Sequence, residues 1–298
     1  MEYLFLTLSV FAGVTKGFCG KRISAYTSEF KSAAFSNLLR LLMCVFIGFF
    51  FVLFDGGIKQ FIPNTTFILV TALSGVSTAA FVVFWLFAVR RGAYVLVDVF
   101  LTLGTLLSAV LSVIFYSAEF TLFDAIGFLL LILASVIMCS YSVQIKNGIT
   151  LTAIAMLVIS ATANGISDFS KEIFNRELGA LYSASSFNFY TFAFSAILLL
   201  CVFLFSKSSD ESNKNISHLK SKGLPYIGIM SVCLFLNSFF KTLAAVKLDM
   251  TVVSPLSQGF ALVLVTIMSA IFFGEKIKLR SIVGLVFAIA GLLIINFL

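Results

Sequence analysis

The sequence predicts an all-α integral membrane protein of ten transmembrane helices, built from two inverted five-helix repeats. Three observations lead there. Hydrophobic residues make up 60% of the chain and charged residues only 11%, whereas a water-facing domain carries about a quarter charged residues. The apolar residues come in runs of about 20, the length that crosses a hydrocarbon core. Residues 1–143 also look like a copy of residues 144–298, with one register held across two helices and a loop. Phe, with 36 residues against a single Trp, adds apolar area without a hydrogen-bonding group to satisfy, which suits helix surfaces against lipid.

Taken in order, the first span, 3–19, starts without a basic segment. It runs into Lys16, Lys21 and Arg22 with no A-x-A cleavage pattern, so it is expected to be a retained helix and not a signal peptide. Spans 33–54 and 66–89 are almost wholly apolar between their polar ends. Span 93–115 carries a polar residue every three or four positions. Spans 121–143, 149–167 and 183–205 follow. The stretch 206–222 (KSSDESNKNISHLKSKG) is polar and predicts a solvated loop. Spans 224–246, 250–273 and 280–297 complete the set. Most connections are short, which predicts antiparallel neighbours in one bundle.

The repeat sets the topology. A shift of 157 residues puts Ala88-Val89 on Ala245-Val246, Val95 on Val252, Ser112 on Ser269, Ile114-Phe115 on Ile271-Phe272, and Gly127 on Gly284. Nearer the start, a shift of 150 puts Lys21 on Lys171 and Ile23 on Ile173. An odd number of helices per unit makes the second copy enter from the opposite side, so the repeats are inverted, a plan common in secondary transporters.

The closing stretch from Ser254-Pro255-Leu256 through Gly274-Glu275-Lys276 to Gly284 and Gly291 resembles the closing motif of the drug/metabolite transporter (DMT) superfamily, in its ten-helix EamA-like branch. Glu119, Gly127 and Ala134 form a degenerate copy in the first half. Lys21 and Lys171 are similar to the family's lysine after the first helix of each repeat. The sequence departs from the family at helix 1, where Gly13 and Gly17 stand near the place of the usual Trp-Gly, and at Asp98, which occupies the slot of Pro255. The resemblance implies secondary transport of a small metabolite and places both termini in the cytoplasm.

The net charge of +7 is not read as nucleic-acid binding, because no basic patch interleaves with exposed aromatics. Fourteen basic residues, Lys16 and Lys171's counterpart Lys21 among them, are assigned to loops on one side. The other side holds Lys59, Lys171, Arg176 and Lys247. The positive-inside rule then puts both termini outside, in conflict with the resemblance. The five cysteines lie in or beside apolar runs without C-x-x-C spacing and read as buried small hydrophobes. His218 lies in the polar loop. No metal cluster, phosphate loop or nucleophile elbow is present in the sequence, so neither an enzyme nor a cofactor is expected.

Candidate binding residues are the polar groups inside the spans, since a charge in the bilayer must have a reason to be there. Tyr94, Asp98, Thr102, Thr105, Ser108 and Ser112 share one helical face. Asp98 reads either as a binding or proton-accepting carboxylate or as a helix-pairing one. The ninth span offers Ser254 and Gln258 beside Pro255, whose missing N–H frees the Thr251 carbonyl. The eighth offers Asn237 and Lys241; the lysine reads as a ligand for an anionic group, a partner of Asp98, or a snorkelling residue. The sixth carries Ser160, Asn164 and Asp168 at i, i+4 and i+8, with Gly165 allowing close helix approach. Trp85 reads as an interfacial belt residue or, with Phe81, as a cavity wall. Lys16, Asn37 and Arg40 read as a vestibule or as interface anchors near one membrane face.

These residues predict a cavity lined by spans 1, 3, 4, 6, 8 and 9. The expected function is a multi-pass carrier in the plasma (inner) membrane, exporting or exchanging a small metabolite, an amino acid or related zwitterion being the best match, with Asp98 as the site of proton coupling. The rival readings are a lipid-linked flippase or its membrane subunit, and a passive channel. The small-residue face of Gly284, Ala288 and Gly291 allows two uses, packing within the chain or a homodimer contact.

Overall fold

A computed structural model describes residues 1–27, 29–90, 94–139, 151–273 and 279–297. Its long helices are α1 (Glu2–Ile23), α2 (Phe30–Asp55), α3 (Thr65–Arg90), α4 (Tyr94–Tyr116), α5 (Leu122–Cys139), α6 (Leu151–Ile173), α7 (Ala184–Phe205), α9 (Leu224–Ala244), α10 (Met250–Phe273) and α11 (Leu279–Phe297). They correspond in order to the ten predicted spans. Among the described residues, five helical stretches are long and apolar enough to cross a membrane, and shorter apolar stretches lie in α4, α5, α10 and α11. The helix outside both groups is α6, which carries Asp168, Lys171 and Glu172 in its last two turns.

The stretch expected to be a solvated loop contains a further short helix, α8 (Asp210–His218). Ser209 and Ser212 cap its start reciprocally, side chain to backbone, with N···O distances of 3.0 and 2.9 Å. A Ser at the third helical position completes the capping box where Glu or Gln is usual, so the signal is weak in a polar sequence. Two single-turn π-helices follow α6 (Phe174–Leu178) and α8 (Leu219–Gly223).

The outer surface is apolar: Phe46, Phe54, Ile114, Phe115, Leu204, Phe205 and Ile271 are all exposed. The interior is comparatively polar. Thr102, Thr105, Ser108 and Ser112 are all buried, so the polar stripe of α4 faces inward. This distribution suits a lipid-facing protein with polar groups between its helices. Of the cysteines, Cys19 and Cys44 are buried as expected, but Cys233 is half-buried and Cys201 is exposed on α7. A thiol behaves as a small hydrophobe and is tolerated on an apolar surface. The Cys139 side chain is outside the described residues.

The principal helix pairings all join one half of the chain to the other: α1 with α9, α3 with α6, α2 with α7, α5 with α11, α4 with α6, α3 with α7, α4 with α10, and α2 with α9. Exchanging α1 with α6, α2 with α7, α3 with α9, α4 with α10 and α5 with α11 maps this set onto itself except that α4–α6 maps onto α1–α10, a weaker pairing that is also present. Thus α1–α9 becomes α6–α3, α4–α6 becomes α10–α1, and α3–α7 becomes α9–α2, while α2–α7, α4–α10 and α5–α11 map onto themselves.

Glycine sets two of these crossings. A Cβ at Gly165 of α6 would collide with the carbonyl oxygen of Gly104 on α4, so the close approach expected of Gly165 is made by α4. A Cβ at Gly291 of α11 would lie 2.8 Å from the Gly127 carbonyl oxygen of α5. Ala288 is fully buried beside it. The small-residue face of α11 therefore packs on α5 within the chain.

Replacing Gly165 by Leu forces the α4–α6 backbones apart. The expected cost is about 3 kcal/mol, read as a lower melting temperature of the purified protein, while Gly228→Ala, where an added Cβ would meet only the Met43 side chain at 3.7 Å, makes no such clash.

Candidate functional site

Asp168 is the centre of a buried ion cluster. It is 2% exposed and lies on α6 one turn from the helix end. Lys171 Nζ donates to its Oδ1 at 3.1 Å. Lys241 Nζ of α9 donates to its Oδ2 at 2.5 Å. The Ser254 hydroxyl of α10 donates to the same oxygen at 3.1 Å. Lys171 also reaches the Ser167 carbonyl at 3.2 Å. One carboxylate thus holds three helices through two ammonium groups and a hydroxyl. The sequence allowed Asp168 to be wet and Lys241 to pair with Asp98. In the structure Asp168 is dry, and Lys241 is its partner because α6 and α9 bring those positions together.

A second layer lies one turn further out. Glu172 is 3% exposed. It accepts from the Ser112 hydroxyl of α4 and from Arg176 Nε at 3.0 Å. Arg176 Nη2 reaches Asp249 at the start of α10 at 2.7 Å, and its guanidinium lies over the Tyr116 ring, 5.0 Å from the centroid. At the same end of the bundle Lys247 pairs with Glu2 of α1 at 3.0 Å. The two layers tie α1, α4, α6, α9 and α10 together at the face where α1 begins.

Behind this closed end lies a cavity of about 90 Å³. That holds several waters or part of a small solute, not a drug-sized ligand. It is lined from α1, α3, α4, α6, α9 and α10, by Lys16, Phe81, Trp85, Asn164, Asn237, Lys241, Ser257 and Gln258 among others. Lys241 is shared between the cavity and the ion cluster. At the other end Lys16 Nζ sits 5.3 Å from the Phe81 ring centroid and 5.8 Å from that of Trp85, at cation–π distance. Asn237 is held on α1, its amide donating to the Ser9 carbonyl at 2.8 Å.

The sequence-predicted residues divide as follows. Trp85, Asn164, Asn237, Lys241 and Gln258 line the cavity. Asp168 and Ser254 stand behind it in the ion cluster. Thr102 is buried on α4 and does not line the cavity. The side chains of Tyr94 and Asp98 are outside the described residues. Trp85 is 4% exposed, so it is a wall residue and not an interfacial belt residue. Asn37 and Arg40 are buried at 1% and 2% and form no vestibule at the membrane face. Asn37 instead donates to the Val82 carbonyl of α3 at 3.2 Å. Lys16 and Lys171, assigned to loops from the sequence, are inside α1 and α6.

Sequence reasoning missed Lys171, Glu172 and Ser257 as parts of this region. Lys171 was hidden by its place near a span end, where lysine ordinarily reaches water. The available signal was its i, i+3 spacing from Asp168.

The fold and the interior site define an integral membrane protein of the transporter kind. The EamA-like transporter family matches residues 147–297, and the chain belongs to that family, within the DMT superfamily. A comparison with curated proteins gives no significant match. The fold is similar to that of a solved crystal structure, with a TM-score of 0.69 at 15% sequence identity, covering 99% of this chain and 96% of that one.

Replacing Asp168 by Asn leaves Lys171 and Lys241 buried without their counter-ion. The expected loss is about 3–5 kcal/mol, seen as a drop in thermal stability. Adding Lys241→Met to Asp168→Asn should recover part of it, and strict additivity in that double-mutant cycle would contradict the pairing.

Proposed function

We propose that the protein is a secondary active carrier, an exporter or exchanger, of a small organic metabolite such as an amino acid or related zwitterion. The observation that carries this reading is the polar cavity between the halves, lined from α1, α3 and α4 on one side and α6, α9 and α10 on the other, and closed at one end by ion pairs. A carrier needs a site reached from either side in turn, and rocking of one repeat against the other about such a site is how inverted-repeat transporters provide it. The repeats proposed are 1–143 and 144–298; the exchange symmetry of the helix pairings supports them.

Chemistry supports the substrate class. The described lining combines ammonium groups, Lys16 and Lys241, with side-chain amides, Asn164, Asn237 and Gln258, and two aromatic faces, Phe81 and Trp85. Cations receive a carboxylate, amide oxygens receive an ammonium group, and the rings accept an apolar side chain or a cation. Lys241 is also the link to closure. A carboxylate in the cavity competes with Asp168 for it, so binding loosens the ion cluster at the closed end.

Proton coupling through Asp98 is part of this proposal, with the plasma membrane as its location. A carboxylate in a membrane helix gains most by neutralisation.

Counterflow of labelled solutes in proteoliposomes tests the carrier. The expected result is saturable exchange of one solute class, reduced at least tenfold by Lys241→Ala. Unsaturable flux without counterflow would replace it with a channel. Exchange confined to lipid-linked solutes would replace it with a flippase. For the proton step, Asp98→Asn is expected to abolish pH-driven uptake while leaving exchange at equal pH; unchanged pH-driven uptake removes Asp98 from that role.

A further inference from the structure

Trp85 is the single tryptophan of the chain, and its ring sits on the boundary between the cavity and the packed interior. On one side it lines the cavity, where Lys16 Nζ stands 5.8 Å from its centroid. On the other side the tip of the indole lies in a notch over Gly20 of α1. A Cβ at position 20 would fall 2.6 Å from the ring atom Cη2 and 2.9 Å from Cζ3. The same Cβ would lie 3.4 Å from Cε of Met230 on α9. The notch exists because position 20 carries no side chain, and the indole fills it.

Gly20 is buried and, among the described residues, is not part of the cavity lining. It lies one turn beyond Lys16 on the same face of α1. Away from the cavity, Trp85 belongs to a buried apolar cluster with Cys19, Ile23, Leu86, Ile227 and Met230. Close-packed neighbours leave a displaced ring no room on that side. The cavity is the free space on its other face, so a ring pushed off Gly20 moves into it. At about 90 Å³ the cavity already holds no more than part of a small solute.

We propose that Trp85 sets the size of the solute the cavity takes, and that Gly20 is the positioning residue that keeps the indole seated out of the way; this rests on the carrier reading above. With the ring in its notch, the space suits an amino acid or related zwitterion with a short side chain, and a large apolar side chain meets the indole. Gly20 touches no solute and acts through Trp85.

Two measurements on the full chain test this. In detergent, the intrinsic fluorescence reads the position of the indole, because Trp85 is the sole tryptophan. Gly20→Ala is expected to shift the emission to the red as the ring passes from an apolar notch into a polar cavity. Gly228→Ala, whose added Cβ meets the Met43 side chain at 3.7 Å, is expected to leave it in place. In proteoliposomes, counterflow of glycine, L-alanine, L-leucine and L-phenylalanine reads the size limit. Wild type is expected to take the two smaller solutes and Trp85→Ala all four. Gly20→Ala is expected to raise KM for the preferred solute about tenfold with kcat little changed. Trp85→Phe removes the ring atoms that a Cβ at position 20 meets, so Gly20→Ala with Trp85→Phe is expected to match Trp85→Phe alone. Unshifted emission in Gly20→Ala overturns the proposal. So does a double variant no better than Gly20→Ala, or a Trp85→Ala protein with the wild-type solute range. Shifted emission in a protein that exchanges none of the four sinks the amino-acid carrier reading and upholds Gly20 as the residue that seats Trp85; exchange with unshifted emission does the reverse.

Discussion

A charge placed between membrane helices must be matched by another charge or by polar groups, and the interior of this protein is organised by that constraint. Asp168 is matched by Lys171, Lys241 and the Ser254 hydroxyl. Because those partners come from α6, α9 and α10, the demand of one carboxylate fixes three helices relative to one another. Glu172 repeats the arrangement a turn away, drawing in α4 through Ser112 and the start of α10 through Arg176 and Asp249. The strength of such pairs comes from the low dielectric around them, and so does the penalty for breaking one. The closed end is stable as a set and sensitive to loss of any single member.

The apolar forces act differently. Lipid is as apolar as leucine, so burying leucine between membrane helices gives little; close backbone approach and polar contacts have to hold them. Gly104 against Gly165 and Gly127 against Gly291 supply the approach. The Asn237 amide on Ser9 and the Thr78–Ser167 hydroxyl pair at 3.2 Å supply the contacts. Both kinds of contact join helices from opposite halves of the chain, which is why neither half's helices pack chiefly among themselves.

Much of this was legible in the sequence. Run length gave the ten long helices, because the bilayer imposes its thickness on every span. The spacing of Thr102, Thr105, Ser108 and Ser112 gave the inward face of α4. Asn164, Asn237, Lys241 and Gln258 were found because polar groups are rare in such runs. The failures share a cause. Arg40, Lys16 and Lys171 were read as interfacial because long cationic side chains near span ends usually reach water, and sequence position does not reveal which way a side chain turns. The pairing of Lys241 with Asp168 was likewise hidden, since it appears only when helix packing brings the two positions together. In α8 the capping residues are serines in an already polar segment, so local composition masked the helix.

In the carrier proposed above, Lys241 is where structure and transport meet. Among the residues of the Asp168 cluster it is the one that also lines the cavity. A ligand can shift a conformational equilibrium only by the difference in its affinity for the two states. A solute touching only Asn164, Gln258 and the ring wall would bind open and closed forms alike. A solute touching Lys241 changes the electrostatic balance of the bond that ties α9 to α6, so its binding energy differs between the states. The same link limits tightness. A carboxylate must compete with a preorganised buried partner at 2.5 Å, and part of its binding energy goes into loosening that bond. Weak net binding with strong coupling is what a carrier requires, because a solute held tightly in one state is not released from the other.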